Sequence, residues 1–88
     1  MNNQEYTIDL HHDVKKFLKV HTELREDFWT KANRLKKGET AGLNIKPLQG
    51  TENCYRLRIG NYRFLYEIFE ERIVIYFYKA GPRGDVYK

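Results

Sequence analysis

Three arginines, Arg56, Arg58 and Arg63, fall in a stretch whose spacing gathers their side chains. A guanidinium is planar, permanently charged and armed with paired N–H donors that match phosphate oxygens, so a cluster of them can hold a phosphate backbone. The clustering follows from Gly60-Asn61, a two-residue hairpin signal between two strand-like runs, Tyr55 to Ile59 and Tyr62 to Ile68. A two-residue loop fixes the register. Ile59 then faces Tyr62, Arg58 faces Arg63, Leu57 faces Phe64, Arg56 faces Leu65 and Tyr55 faces Tyr66.

Paired residues share a face, and faces alternate along each strand. One face therefore collects Tyr55, Leu57, Ile59, Tyr62, Phe64, Tyr66 and Ile68. Past a second turn at Phe69-Glu70-Glu71-Arg72 it gains Ile73, Ile75 and Phe77, and it reads as the core face. The other face collects Cys54, Arg56, Arg58, Arg63, Leu65, Glu67, Val74, Tyr76 and Tyr78. Charge on the wet face of an antiparallel sheet is ordinary. Like charges set directly opposite are destabilising, however, and Arg58 against Arg63 is such a pair. On these strands Glu67 is the one acid available to offset three guanidiniums. Arginine forks beside Tyr76 and Tyr78 suit a single-stranded nucleic acid, with cations for phosphates and rings for bases.

Other reactive residue types support less chemistry. His11-His12-Asp13 reads as a surface helix start, because adjacent helical residues do not face one another and no fourth ligand is evident. Cys54 is the single cysteine, which excludes an internal disulfide and a cysteine-rich zinc site. Lys15, Lys16, Lys19, Lys31, Lys36 and Lys37 read as the wet faces of helices. Trp29 reads as packing at the edge of the core.

The elements that must position these residues are legible in outline. Tyr6, Ile8 and Leu10 alternate on a short first strand. Val14, Phe17, Leu18 and His21 follow helical spacing. Thr22 is placed to cap a second helix carrying Leu24, Phe28, Ala32 and Leu35, and Lys36-Lys37-Gly38 stops it. Residues 39–50 read as a linking loop, and the hairpin and a last strand, Ile73 to Lys79, follow. The expectation is a single α+β domain over residues 1–88, ordered β-α-α-β-β-β, with two helices packed on one face of an antiparallel sheet.

The chain has 88 residues and is 41% hydrophobic and 32% charged, which fits one small core. No apolar run reaches the ~20 residues of a membrane span. With no signal-peptide pattern at the start, the cytoplasm is the expected compartment and no membrane partner is expected. The net charge is +4. Residues 1–43 are nearly balanced, whereas residues 44–88 hold eight Lys/Arg against five Asp/Glu. An acidic partner for the second half is implied.

The block Tyr55-Arg56-Leu57-Arg58-Ile59-Gly60-Asn61-Tyr62-Arg63, the lead-in Lys46-Pro47-Leu48-Gln49-Gly50 and the ending Gly81-Pro82-Arg83-Gly84-Asp85-Val86-Tyr87 resemble the RelE/ParE superfamily of toxin–antitoxin toxins. Resemblance to the RelE branch implies a ribosome-dependent mRNA endonuclease (an mRNA interferase) that cuts in the A site without metal or other cofactor and so inhibits translation. It also implies a cognate antitoxin partner. In that family, residues matching Arg56 and Arg58 hold the phosphate, and the match of Arg63 stabilises the scissile group. The match of Arg83 lies by the leaving oxygen, and that of Tyr87 stacks on a base. Lys46 borders the implied RNA site. Pro82 departs from the family, where many relatives carry a polar residue. The ParE branch, which inhibits DNA gyrase, and a catalytically silent RNA-binding member are the alternatives on the same fold.

Overall fold

The computed structural model describes residues 5–82. In chain order the elements are strand β1 (Thr7–Leu10), helix α1 (His12–Val20), a 3-10 turn at Thr22–Leu24, helix α2 (Arg25–Lys36), and strands β2 (Ile45–Pro47), β3 (Cys54–Ile59), β4 (Tyr62–Phe69) and β5 (Val74–Pro82). They form one sheet ordered β1-β5-β4-β3-β2. The α+β class and the helix-covered sheet are as the sequence implied. Among the described residues no helix is long and apolar enough to cross a membrane.

The β3–β4 hairpin keeps the register that its loop dictates. Gly60 sits at φ 61°, the left-handed value that the first position of a type II′ turn requires and that a side chain resists. Every pair from Ile59–Tyr62 to Tyr55–Tyr66 is formed, and the ladder runs one rung further to Cys54–Glu67.

The second turn departs from strict alternation. Ile73 lies outside β5 at φ 56°, a costly conformation for a β-branched residue. It closes the turn, donating its N–H to the Glu70 carbonyl at 3.3 Å, and its own carbonyl accepts from Thr7 N at 2.9 Å. The β4–β5 ladder then shifts at Leu65/Tyr66: Tyr66 pairs with Phe77 but Leu65 pairs with Lys79, so Tyr78 is the extra residue of a bulge.

Three further features differ from the sequence reading. Residues 45–47 are an edge strand antiparallel to β3, not loop. β1 pairs with β5 in parallel: the helices carry the chain to β2 at the far edge, and three antiparallel reversals then bring β5 back beside β1 in the direction of β1. Thr22 opens the 3-10 turn without a side-chain cap bond, and α2 begins at Arg25. The break at His21-Thr22 that separates the helices is present.

Both helices lie on the core face. Val14 and Leu18 of α1 and Phe28, Ala32 and Leu35 of α2 close over Leu57, Ile59, Phe64, Tyr66, Ile75 and Phe77. Phe28 stands at the centre, its ring 4.9 Å from Phe64 and 5.0 Å from Phe77, within the range of favourable aromatic pairs. This packing covers one face of the sheet, and no helix among the described residues covers the other.

Candidate nucleic-acid interface

The outer face is arranged in rungs. Arg58, Arg63 and Gly81 form one; Lys46, Arg56, Leu65 and Lys79 form the next; Cys54, Glu67, Tyr76 and Asp9 form a third. The cations occupy two neighbouring rungs and the acids the third, so the face is polarised along its strands. Asp9 joins Glu67 there because β1 pairs beside Tyr76, a placement that the local pattern of β1 does not reveal.

Although no helix among the described residues lies on this face, Arg56 and Arg63 are each only 9% exposed and Leu65 only 5%. The loop that follows β2 forms a wall beside them. A groove of about 650 Å³ is lined by Lys46, Pro47, Leu48, Gln49 and Thr51 on the loop side and by Arg56, Arg63 and Leu65 on the sheet. The loop is held from within: Leu48 N–H donates to the Cys54 carbonyl at 3.0 Å, and the Thr51 hydroxyl donates to the Leu48 carbonyl at 2.8 Å.

Asn44 fixes the arginines from the β2 end. Its Oδ1 accepts from Arg56 Nη2 at 2.6 Å, and its carbonyl accepts from Arg58 N–H at 2.9 Å. A neutral amide oxygen orients a guanidinium without cancelling its charge. Arg56 Nε is buried with no acceptor among the described residues. Burying a charged donor unmatched is expensive, and an anion in the groove would offset that cost. Arg58 is half-buried beside the groove and bonds the Gly60 carbonyl through Nε at 3.1 Å.

The structure thus brings Lys46, Arg56 and Arg63 around one groove with Arg58 alongside. Tyr76 and Tyr78 do not line it. Tyr76 lies at the acidic rung, its ring 6.4 Å from His11 and 6.5 Å from Phe69. Tyr78 sits in the bulge, and burial, followed by Cys54 and Glu67, pushes its phenol up to about 12. That shift disfavours the phenolate, so Tyr78 is unsuited to accept a proton near neutrality. Arg83 and Tyr87 lie outside the described residues.

Sequence reasoning gave Asn44 only a place near the site, since its bond to Arg56 spans two strands. It missed Lys79, which the bulge carries into the arginine rungs. At the far end of the outer face, His11 Nδ1 accepts from Asp13 N–H at 3.0 Å and caps α1.

No protein-family model matches the chain, and no curated protein does. Solved structures do. The chain is similar to the RelE of an archaeal RelE–RelB complex from Pyrococcus horikoshii, at 26% identity and TM-score 0.71 over 92% of this chain and 98% of that one. It is also similar to a chain of the RelB–RelE antitoxin–toxin complex from Methanococcus jannaschii, at 24% identity and TM-score 0.71 over 90% and 94%. The isolated E. coli RelE toxin matches at 24% identity and TM-score 0.68 over 93% and 90%. By fold the chain is a member of the RelE-type toxin superfamily, in agreement with the resemblance carried by its Tyr55–Arg63 block.

Proposed function

We propose, from the chain's place in the RelE-type toxin superfamily, that it is the toxin of a toxin–antitoxin pair and acts as a ribosome-dependent mRNA endonuclease in the cytoplasm. One observation carries the reading: on the helix-free face of the sheet, Arg56 and Arg63 are nine-tenths buried around a groove, and Asn44 aims Arg56 with a neutral oxygen. Such a site has the character of a preorganised phosphate clamp. The neighbours solved with RelB antitoxins support a cognate antitoxin as partner.

The reaction is transesterification. The ribose 2′-hydroxyl gives up its proton, its oxygen bonds to the adjacent phosphorus, and the bond from phosphorus to the 5′-oxygen breaks. The products are a 2′,3′-cyclic phosphate and a 5′-hydroxyl that takes up a proton. Negative charge grows on the phosphoryl oxygens, and cations already in place stabilise it without reorganising. Arg56, with Lys46 and Arg58 at the margin, holds the phosphate, and Arg63 meets the growing charge. Arg83 serves the leaving oxygen and Tyr87 stacks on a base and assists the 2′-hydroxyl. The described groove lining offers cations and neutral groups but neither carboxylate nor imidazole, which supports a reading in which Tyr87 and the ribosome complete the site.

The test is cleavage of ribosome-bound mRNA in EDTA, with mapping of both new ends. Cyclic-phosphate and 5′-hydroxyl ends are expected, lost in Arg63→Ala and Arg83→Ala. Intact mRNA sinks the endonuclease reading, and gyrase-dependent DNA damage with normal translation moves the chain to the ParE-type activity.

A further inference from the structure

A second cationic surface lies on the helical layer, across the sheet from the arginine groove. In α1, His12, Lys15, Lys16 and Lys19 fall at helical spacing on one side, opposite the buried Val14 and Leu18. In α2, Arg25 and Trp29 stand one turn apart. The two sets meet across a concave surface of about 640 Å³ lined by Leu10, Leu18 and these six residues. All six are exposed, Trp29 to 38%. The lining contains no carboxylate. Among the described residues, Asp13 pairs with His12 at the edge of this lining and Asp27 with Lys31 at 2.5 Å, while Glu23 and Glu26 flank Arg25 outside the lining. Lys15, Lys16, Lys19 and Arg25 form no ion pair among the described residues.

We propose that this α1–α2 surface is a second RNA-binding site, in which Lys15, Lys16, Lys19 and Arg25 take backbone phosphates and Trp29 stacks an unpaired base. Charge complementarity selects a polyanion. The aromatic ring selects among polyanions, because a solvent-open indole amid cations is a stacking platform for any base. An acidic polypeptide could pair with the same cations, but a nucleic-acid base is the group that also uses the flat face of Trp29, exposed to 38%. The site is separate from cleavage, so its test does not depend on that activity.

Trp29 is the single tryptophan of the chain, which makes its fluorescence a local reporter. The wild-type protein is titrated with a short 2′-O-methyl oligouridylate, which has no free 2′-hydroxyl and cannot be cut. Saturable quenching is expected. Lys15→Glu/Lys19→Glu, at two exposed positions, should weaken it about tenfold and lower the magnitude of its log–log salt slope by about 1.4, the value for two lost single-strand phosphate contacts. Far-UV dichroism checks that α1 is retained, and single replacements by Gln serve if the double variant unfolds. Arg58→Gln, on the opposite face, should leave the quenching unchanged. Absence of quenching, or quenching indifferent to the lysine changes, overturns the proposal. So does stronger quenching by an acidic peptide of equal charge, which would assign the surface to a protein partner.

Discussion

The two faces of the sheet are built from alternating residues of the same strands, yet they are closed in opposite ways. Phe64 and Tyr66 point under two helices into a core of rings, whereas Arg63 and Leu65, one residue away, point to the face without helices. Both sets are buried. The core face is closed by apolar area, the dominant favourable term of folding. The outer face sinks two guanidiniums beside a loop, an arrangement that apolar burial does not favour. A cost of that kind on one face, beside an ordinary core on the other, is the ground for reading the outer arginines as a candidate site and the rings as the residues that hold the fold.

Alanine at adjacent positions tests this contrast most severely. Phe64→Ala, at a fully buried ring, should cost about 3–5 kcal/mol in urea unfolding. Arg63→Ala should lower cleavage by about 10²–10³-fold, the loss typical of one charge-stabilising donor, with a much smaller shift in the unfolding midpoint. If Arg63→Ala unfolds the protein as badly as Phe64→Ala, the arginine is structural and the contrast fails.

The next effect concerns aim. Asn44→Ala leaves Arg56 Nη2 without its 2.6 Å acceptor, and RNA affinity in the groove should fall by about 1.5 kcal/mol, or roughly tenfold. Asn44→Asp keeps the acceptor and the orientation but offsets the charge of Arg56, so RNA affinity should still fall while the unfolding midpoint holds, which separates loss of the anion site from simple destabilisation.

The smallest effect is one of pH, and it touches both faces. Burial raises Tyr66 on the core face, with Tyr55 adding to it, and Tyr78 on the outer face is pushed up to about 12. An unfolded chain ionises these phenols near ~10. Between those values the folded state holds more protons, so stability is fully present below pH ~10 and declines toward 12. Unfolding followed by dichroism across that window should show the fall, and Tyr78→Phe should reduce it.

Much of this was legible because Gly60-Asn61 pins the hairpin: once the loop has two residues, no freedom remains in which side chains share a face. The bulge at Tyr78 carries no comparable local signal. It moved Lys79 into the arginine rungs and left Tyr78 against Cys54 and Glu67. β2 is too short for periodicity to mark it, and its strand character comes from pairing Lys46 with Arg56. Asn44 and the Leu48–Thr51 wall act through contacts distant in sequence. The arginines were therefore readable as a cluster, but their burial was not.

The parallel seam between β1 and β5 has a consequence for the order of events on synthesis. Thr7 to Leu10 emerge before every other strand of the sheet, but their partners Val74 to Phe77 follow all the others. Contacts of such long separation make folding slower, since the loop between them must close first. Until β5 arrives, α1 and α2 expose Val14, Leu18 and Phe28, and the rung that pairs Arg63 with Gly81 has no third strand. A nascent chain thus lacks the third strand of its arginine rung until β5 has followed β4, and during that interval its helices lack part of the sheet that covers them.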